Sequence, residues 1–235
     1  MERVRQWVPL PTLWIEERGL SAFQWGGAGQ GSNNAAALLC LILIAHHADG
    51  HGRARLTYEQ ISDMSGLSRA KIAAGLKILH EGEFARNVDK SHFRLTHFDT
   101  TVRGWGQLPA RRLYTKTGRL AFARGMHLRQ RAELDALKIF LLFVARRDVA
   151  SNRIDLSYDK IADYSGINRN RITDALSFLT VNSLVVTHKQ ESDINDFATA
   201  NSYRLRGLNP YNHAGTTGRA ELELENRLAR QSFGL

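Results

Sequence analysis

The sequence has a single cysteine, no apolar run long enough to cross a bilayer, and no acidic residue between Asp99 and Glu133. One thiol cannot build a disulfide framework, so a reducing compartment suits the chain. Cys40 stands inside Leu38-Leu39-Cys40-Leu41-Ile42-Leu43-Ile44 and reads as a buried core thiol rather than a nucleophile. The apolar run from Ala35 to Ala45 is shorter than the about 20 residues a membrane-spanning helix needs. Met1-Glu2-Arg3-Val4-Arg5 lacks the pattern of a signal peptide, so a cytoplasmic protein with no membrane partner is expected.

Site motifs are equally scarce. Gly26-Gly27-Ala28-Gly29-Gln30-Gly31-Ser32 lacks the Lys-Ser/Thr ending of a phosphate-binding P-loop and reads as a flexible loop. His46, His47, Asp49 and His51 have no cysteine partners, and a hundred residues on stand Arg146, Arg147, Val149 and Ser151. They read as a basic cluster at a helix end, favoured by the helix dipole, so no metal is expected. No nucleophile, base and orienting group form a set. The expectation is a protein with no catalytic residues and no cofactor, not an enzyme.

What the chain does have is 235 residues, 43% of them hydrophobic, with a net charge of +9. That length suits one large domain or two small ones with their own cores. The charge favours a polyanionic partner, nucleic acid before an anionic membrane.

The chain also repeats itself. Leu56-Thr57-Tyr58-Glu59-Gln60-Ile61-Ser62-Asp63-Met64-Ser65-Gly66-Leu67 returns as Leu156-Ser157-Tyr158-Asp159-Lys160-Ile161-Ala162-Asp163-Tyr164-Ser165-Gly166-Ile167 without a gap. The match continues through Ile72/Ile172, Leu76/Leu176 and Leu79/Leu179, and backwards through Leu39/Ile139 and Ile42/Leu142. Weaker echoes pair Trp7 with Trp105 and Leu10-Pro11 with Leu108-Pro109. Duplication of one module of about a hundred residues explains this pattern better than chance.

Each copy reads in the same way. Residues 34–48 and 133–147 are apolar enough to be buried helices. Thr57 and Ser157 are N-caps of a second helix, which ends at Gly66 or Gly166 in the left-handed conformation. Ser68 and Asn168 cap a third helix, and small Gly75 and Ala175 on its inner face allow close helix packing. That is the helix-turn-helix pattern. Residues 84–88 and 92–95, and 184–188 and 201–205, read as strands of a hairpin, the wing. The expected fold is mainly α with small β wings (α+β): two tandem winged helix-turn-helix domains. The expected boundaries are 1–100, 101–206 with a basic N-terminal segment, and a C-terminal tail over 207–235.

The outward faces differ between copies. In copy two the third helix carries Asn168, Arg169, Asn170, Arg171, Thr173, Asp174 and Ser177, a polar set suited to reading bases in a major groove. In copy one the equivalent face is Ala70, Ala73 and Ala74 with Ser68, Arg69, Lys71 and Lys77, which suits phosphate holding or dimerisation. Wing one adds Arg86, Lys90, His92 and Arg94 as candidate backbone contacts. Glu191, Asp193 and Asp196 in the loop 190–197 argue against contact between that tip and DNA. The acid-free stretch holds Arg103, Arg111, Arg112, Lys116, Arg119, Arg124, Arg129 and Arg131, which reads as a polyphosphate-facing segment.

Two winged helices in one chain, with little else, resemble the replication initiators of plasmids and related mobile elements. The resemblance rests on the paired segments 56–79 and 156–179 and on their tandem order. It implies binding of double-stranded DNA at origin repeats, with the second unit as main reader and the first assisting or mediating dimerisation. A second copy of the chain and replication proteins are the further partners it implies. A transcriptional regulator with the same DNA-binding mode is the alternative, as is a winged-helix adaptor, helicase loader or segregation protein.

Overall fold

The fold is α+β, seven helices with three small sheets, in a computed structural model that describes residues 5–190 and 200–208. Most of the acidic loop 190–197 and of the tail 207–235 therefore lies outside the described residues. Strand β1 (Trp7–Pro11) and helix α1 (Leu13–Glu16) lead through a 3-10 turn (Gly19–Ala22) into α2 (Gln30–His46). Then follow β2 (Arg53–Arg55), α3 (Tyr58–Ser65), α4 (Arg69–Glu81), β3 (Ala85–Asn87) and β4 (His92–Leu95). The second half runs β5 (Trp105–Pro109), α5 (Arg131–Arg146), β6 (Ile154–Asp155), α6 (Tyr158–Ser165), α7 (Ile172–Val181), β7 (Val185–Gln190) and β8 (Ala200–Leu205).

Helix α2 has no polar face because it needs none. Every residue from Asn34 to Ala45 is buried, as expected of a helix packed on several sides. It lies against α4 in its own half and against α5 from the other. It starts at Gln30, four residues before the apolar run suggests, because Gly29 (φ +80°) turns the chain and Gly31 sits beneath the Trp25 ring. So part of the glycine-rich stretch, expected to be a loop, is helix.

The next element is set by its caps. Thr57 Oγ1 accepts from the Gln60 N–H at 3.2 Å, and the Gln60 side chain accepts from the Thr57 N–H at 2.8 Å, a reciprocal capping box. Gly66 (φ +75°) ends α3, leaving Leu67 to plug the core and Ser68 to cap α4. Ser65 Oγ donates to the Ile61 carbonyl (2.5 Å) and accepts from the Leu67 N–H (3.2 Å), which holds the turn. In the second half Ser157, Gly166 (φ +67°), Ser165 and Ile167 repeat these roles. One difference follows from the cap. Asn168 accepts from the Asn170 N–H, only two residues on, so Arg169–Arg171 forms a 3-10 turn and the regular α7 starts at Ile172.

Each half closes with a three-stranded antiparallel sheet, in the order β2-β4-β3 and β6-β8-β7. The hairpins fall where the sequence places them, while the short third strands β2 and β6 carry too little pattern to be read.

The halves do not meet only at a seam. Strands β1 and β5 form a separate antiparallel ribbon, pairing Trp7 with Pro109 and Pro11 with Trp105. The Trp7 and Trp105 rings stack at 5.9 Å. Helix α1 and the 3-10 turn at Gly19–Ala22 pack on α5 and α6 of the second half. In return the 110–124 segment packs on the first half, where the Leu120 N–H donates to the Met64 carbonyl at 2.8 Å. Leu108, Leu113, Leu120, Phe122 and Met126 are buried in a single core with residues of both halves. The arm of each half thus covers the other.

Candidate functional site

The two capped helix pairs, α3–α4 and α6–α7, bury inner residues at equivalent positions. Ile61, Leu67, Ile72, Leu76 and Leu79 are buried, and so are Ile161, Ile167, Ile172, Leu176 and Leu179. The opposite faces are left to solvent. Asn168, Arg169, Asn170, Thr173, Asp174 and Ser177 are all exposed on the 3-10 turn and α7. Ser68, Arg69, Ala70, Ala73 and Lys77 are exposed at α4.

Some of these side chains are held locally. Arg169 Nε lies 2.7 Å from Asp159 Oδ1 and its guanidinium sits over the Tyr158 ring. Lys77 pairs loosely with Glu81 at 3.7 Å. Both are exposed pairs of the kind worth about 0–1 kcal/mol, so a phosphate can displace them.

Two of the expected site residues are not free on the surface. Arg171 is half-buried, with Nε 3.2 Å from Oδ2 of the buried Asp135 on α5. It ties the start of α7 to the core and orients the neighbouring exposed residues. Lys71 is also half-buried; its Nζ donates to Ser32 Oγ at 2.5 Å and Asn33 Oδ1 at 2.8 Å.

Asp135 belongs to a buried ionic group that sequence reasoning misses. Lys138, one turn on, is buried too and donates to the Phe23 carbonyl at 2.9 Å. Burial raises the Asp135 carboxyl above its ordinary range, against the pull of Arg171, Lys138 and Arg131. Burial likewise pushes Lys138 down to about 8, although Asp135 opposes it. A signal for these two charges does exist in the repeat, because the first half has Ala35 and Leu38 at these positions.

The first sheet assembles a cationic row. Arg94 on β4 pairs across to Arg53 on β2 and to Arg86 on β3. All three are exposed, with Arg53 bonded to Asp49 and Arg86 to Glu83. Like charges side by side on a sheet are unfavourable unless an anion covers them. The sequence places Arg86 and Arg94 on this hairpin, while Arg53 is hidden in a strand too short to read. Lys90 is exposed in the turn of the hairpin. Arg103, Arg111, Arg112, Lys116, Arg119, Arg124, Arg129 and Arg131 are all exposed, since their apolar neighbours take the buried positions.

The histidine cluster needs a correction. His46 is not part of a basic group, because it is a half-buried pin between α2 and the second half's arm. Its Nε2 donates to the Pro109 carbonyl (2.9 Å) and its Nδ1 accepts from the Tyr114 hydroxyl (2.8 Å). Burial pushes its pKa down to about 3. The unfolded chain takes up this proton near pH 6.5 and the folded one only near 3. Stability is therefore lost as pH falls through that window, by about 2 kcal/mol at pH 5 from this group alone. Urea midpoints measured at pH 7.5 and pH 5 should separate for the wild type, and the gap should shrink in His46→Gln.

Among the described residues no three His, Cys, Asp or Glu side chains gather to hold a metal ion, and no helix is long and apolar enough to cross a membrane. Cys40 is buried, its thiol pushed up to about 12. Comparison with protein-family models and with curated proteins returns no match to this chain.

Proposed function

We propose that the chain is a tandem pair of winged helices, derived by duplication, that binds double-stranded DNA in a sequence-specific way. The observation that carries this reading is the repeated presentation of α4 and α7. Each buries one face in a capped helix-turn-helix and leaves the other exposed, on a chain with a charge of +9. Such a helix fits a major groove. Asn170, Thr173, Asp174 and Ser177 on the second unit supply donors and acceptors for base edges, with Asn168 and Arg169 at the entry. Arg69, Lys77, the Arg53-Arg94-Arg86 row and the arginines of the 103–131 segment supply backbone contacts.

The biological role that fits best is a replication initiator acting at origin repeats. The ribbon register favours one second reading. Equivalent residues Trp7 and Trp105 pair with equivalent residues Pro109 and Pro11, which is the pattern of a local two-fold axis. A two-fold pair of reading helices matches inverted half-sites, the arrangement of a regulator's operator.

The experiment is duplex binding at several salt concentrations, with genomic footprinting to supply the site. Joint charge reversal of Arg69, Arg111, Arg112 and Arg169 should flatten the dependence of log K on log salt by about 0.9 for each phosphate no longer neutralised. Asn170→Ala should cost about 1–3 kcal/mol on the footprinted site and little on random duplex. Unchanged affinity after the fourfold reversal would remove DNA binding as the main role.

A further inference from the structure

The two units treat the cation at the base of their outward helix differently. In the second, Arg171 meets the carboxylate of Asp135 from the first turns of α5. In the first, Lys71 stands at the matching position, but residue 35 is Ala. Its ammonium meets only the neutral oxygens of Ser32 and Asn33, and no carboxylate pairs with it among the described residues. Two of its three N–H groups are used, which leaves one.

Beside it lies a cleft of about 480 Å³ between the α3–α4 turn and the segment entering α5. Ser32, Ser68, Lys71, His127 and Arg129 line it, and no acidic side chain does. The far wall is firmly built. The buried Glu133 carboxylate accepts from the backbone N–H groups of His127 (2.5 Å), Arg129 (2.8 Å) and Gln130 (2.9 Å). That turns Glu133 away as a partner for Lys71 while fixing where Arg129 and His127 start.

We infer that this cleft binds a phosphate-class oxyanion, which takes the place that Asp135 fills in the other unit. Lysine offers a point charge and arginine a two-pronged donor, the pairing that phosphate oxygens accept best. The Ser68 hydroxyl, whose oxygen accepts from the Lys71 backbone N–H, adds a further donor, while Ser32 already donates to the Gly29 carbonyl. The volume admits more than one phosphate group. Either a DNA backbone phosphate or a free phosphorylated small molecule carries this chemistry.

The test is calorimetric titration of the full chain with inorganic pyrophosphate at constant ionic strength. Saturable binding to one site is expected. Lys71→Met and Arg129→Gln should each weaken it about tenfold, or 1.4 kcal/mol, while Lys160→Gln on exposed α6 leaves it unchanged. Ala35→Asp, which copies the second unit's carboxylate, should abolish it. Arg129 is exposed, so Arg129→Gln decides the matter even where Ala35→Asp fails to fold. No saturable binding, or binding that Lys71→Met and Arg129→Gln leave intact, overturns the site. Adding duplex DNA separates the sources. Expulsion of pyrophosphate assigns the phosphate to the DNA backbone, and joint occupancy assigns it to a free ligand. A chain that ignores duplex but takes pyrophosphate keeps this site and loses the DNA reading.

Discussion

Asp135→Ala should destabilise the protein by about 3 kcal/mol, read as a fall in the urea midpoint at unchanged slope. The substitution leaves Lys138 buried without its counter-charge and Arg171 without its partner. Breaking a buried pair from one side costs about 3–5 kcal/mol. The lower end applies because the Arg171 side chain is 33% exposed and can turn toward water. The double variant Asp135→Ala/Lys138→Leu should recover most of the loss. It recreates the Ala35 and Leu38 pair that the first half already packs at these positions, and an apolar replacement of buried charges is often neutral or better. If the double variant is as unstable as the sum of its singles, the two groups are not coupled. Because Arg171 anchors the start of α7, the single variant should also weaken the duplex binding proposed for that helix beyond what unfolding explains.

Gly75→Leu should cost about 3 kcal/mol, at the upper end for an overpacked core. A Cβ on Gly75 would lie 2.8 Å from the Ala37 nitrogen and 2.9 Å from the Ala36 carbonyl carbon. These are backbone atoms of α2, so no rotamer change relieves the clash and the helices must separate. Gly75→Ala should lose less, because alanine returns about 1 kcal/mol of helix propensity against the same clash. A wild-type midpoint for Gly75→Leu would mean that α2 and α4 have room to spare. The second half carries Ala175 in this place, buried on α7 where that helix packs against α5, so its helix pair is spaced for a methyl group.

Much of the local structure is legible along the chain because its causes are local. A cap needs only Thr57 and Gln60, or Ser68, at the right spacing, and a left-handed stop needs only Gly66 or Gly166. The periodic apolar residues that face inward recur at equivalent positions in both halves, so α3, α4, α6 and α7 and their exposed faces can be read from the repeat. The hairpins β3-β4 and β7-β8 are legible for the same reason.

What cannot be read depends on partners distant in the chain. The β1–β5 ribbon joins segments about a hundred residues apart, and each strand alone is a short apolar stretch. The basic segment reads as one surface, yet its apolar residues enter the core shared by both halves while its arginines stay outside. His46 reads as basic until Pro109 and Tyr114 engage its two ring nitrogens. Arg171 and Lys71 hold equivalent places in the repeat. Only packing reveals that one is neutralised from within by Asp135 and the other is not. Hydrophobic period and capping are properties of neighbours along the chain, so the capped helices, the hairpins and their outward faces are legible without the fold. Burial and pairing of charge are properties of neighbours in space, so which cations remain available to a partner emerges only when the chain packs.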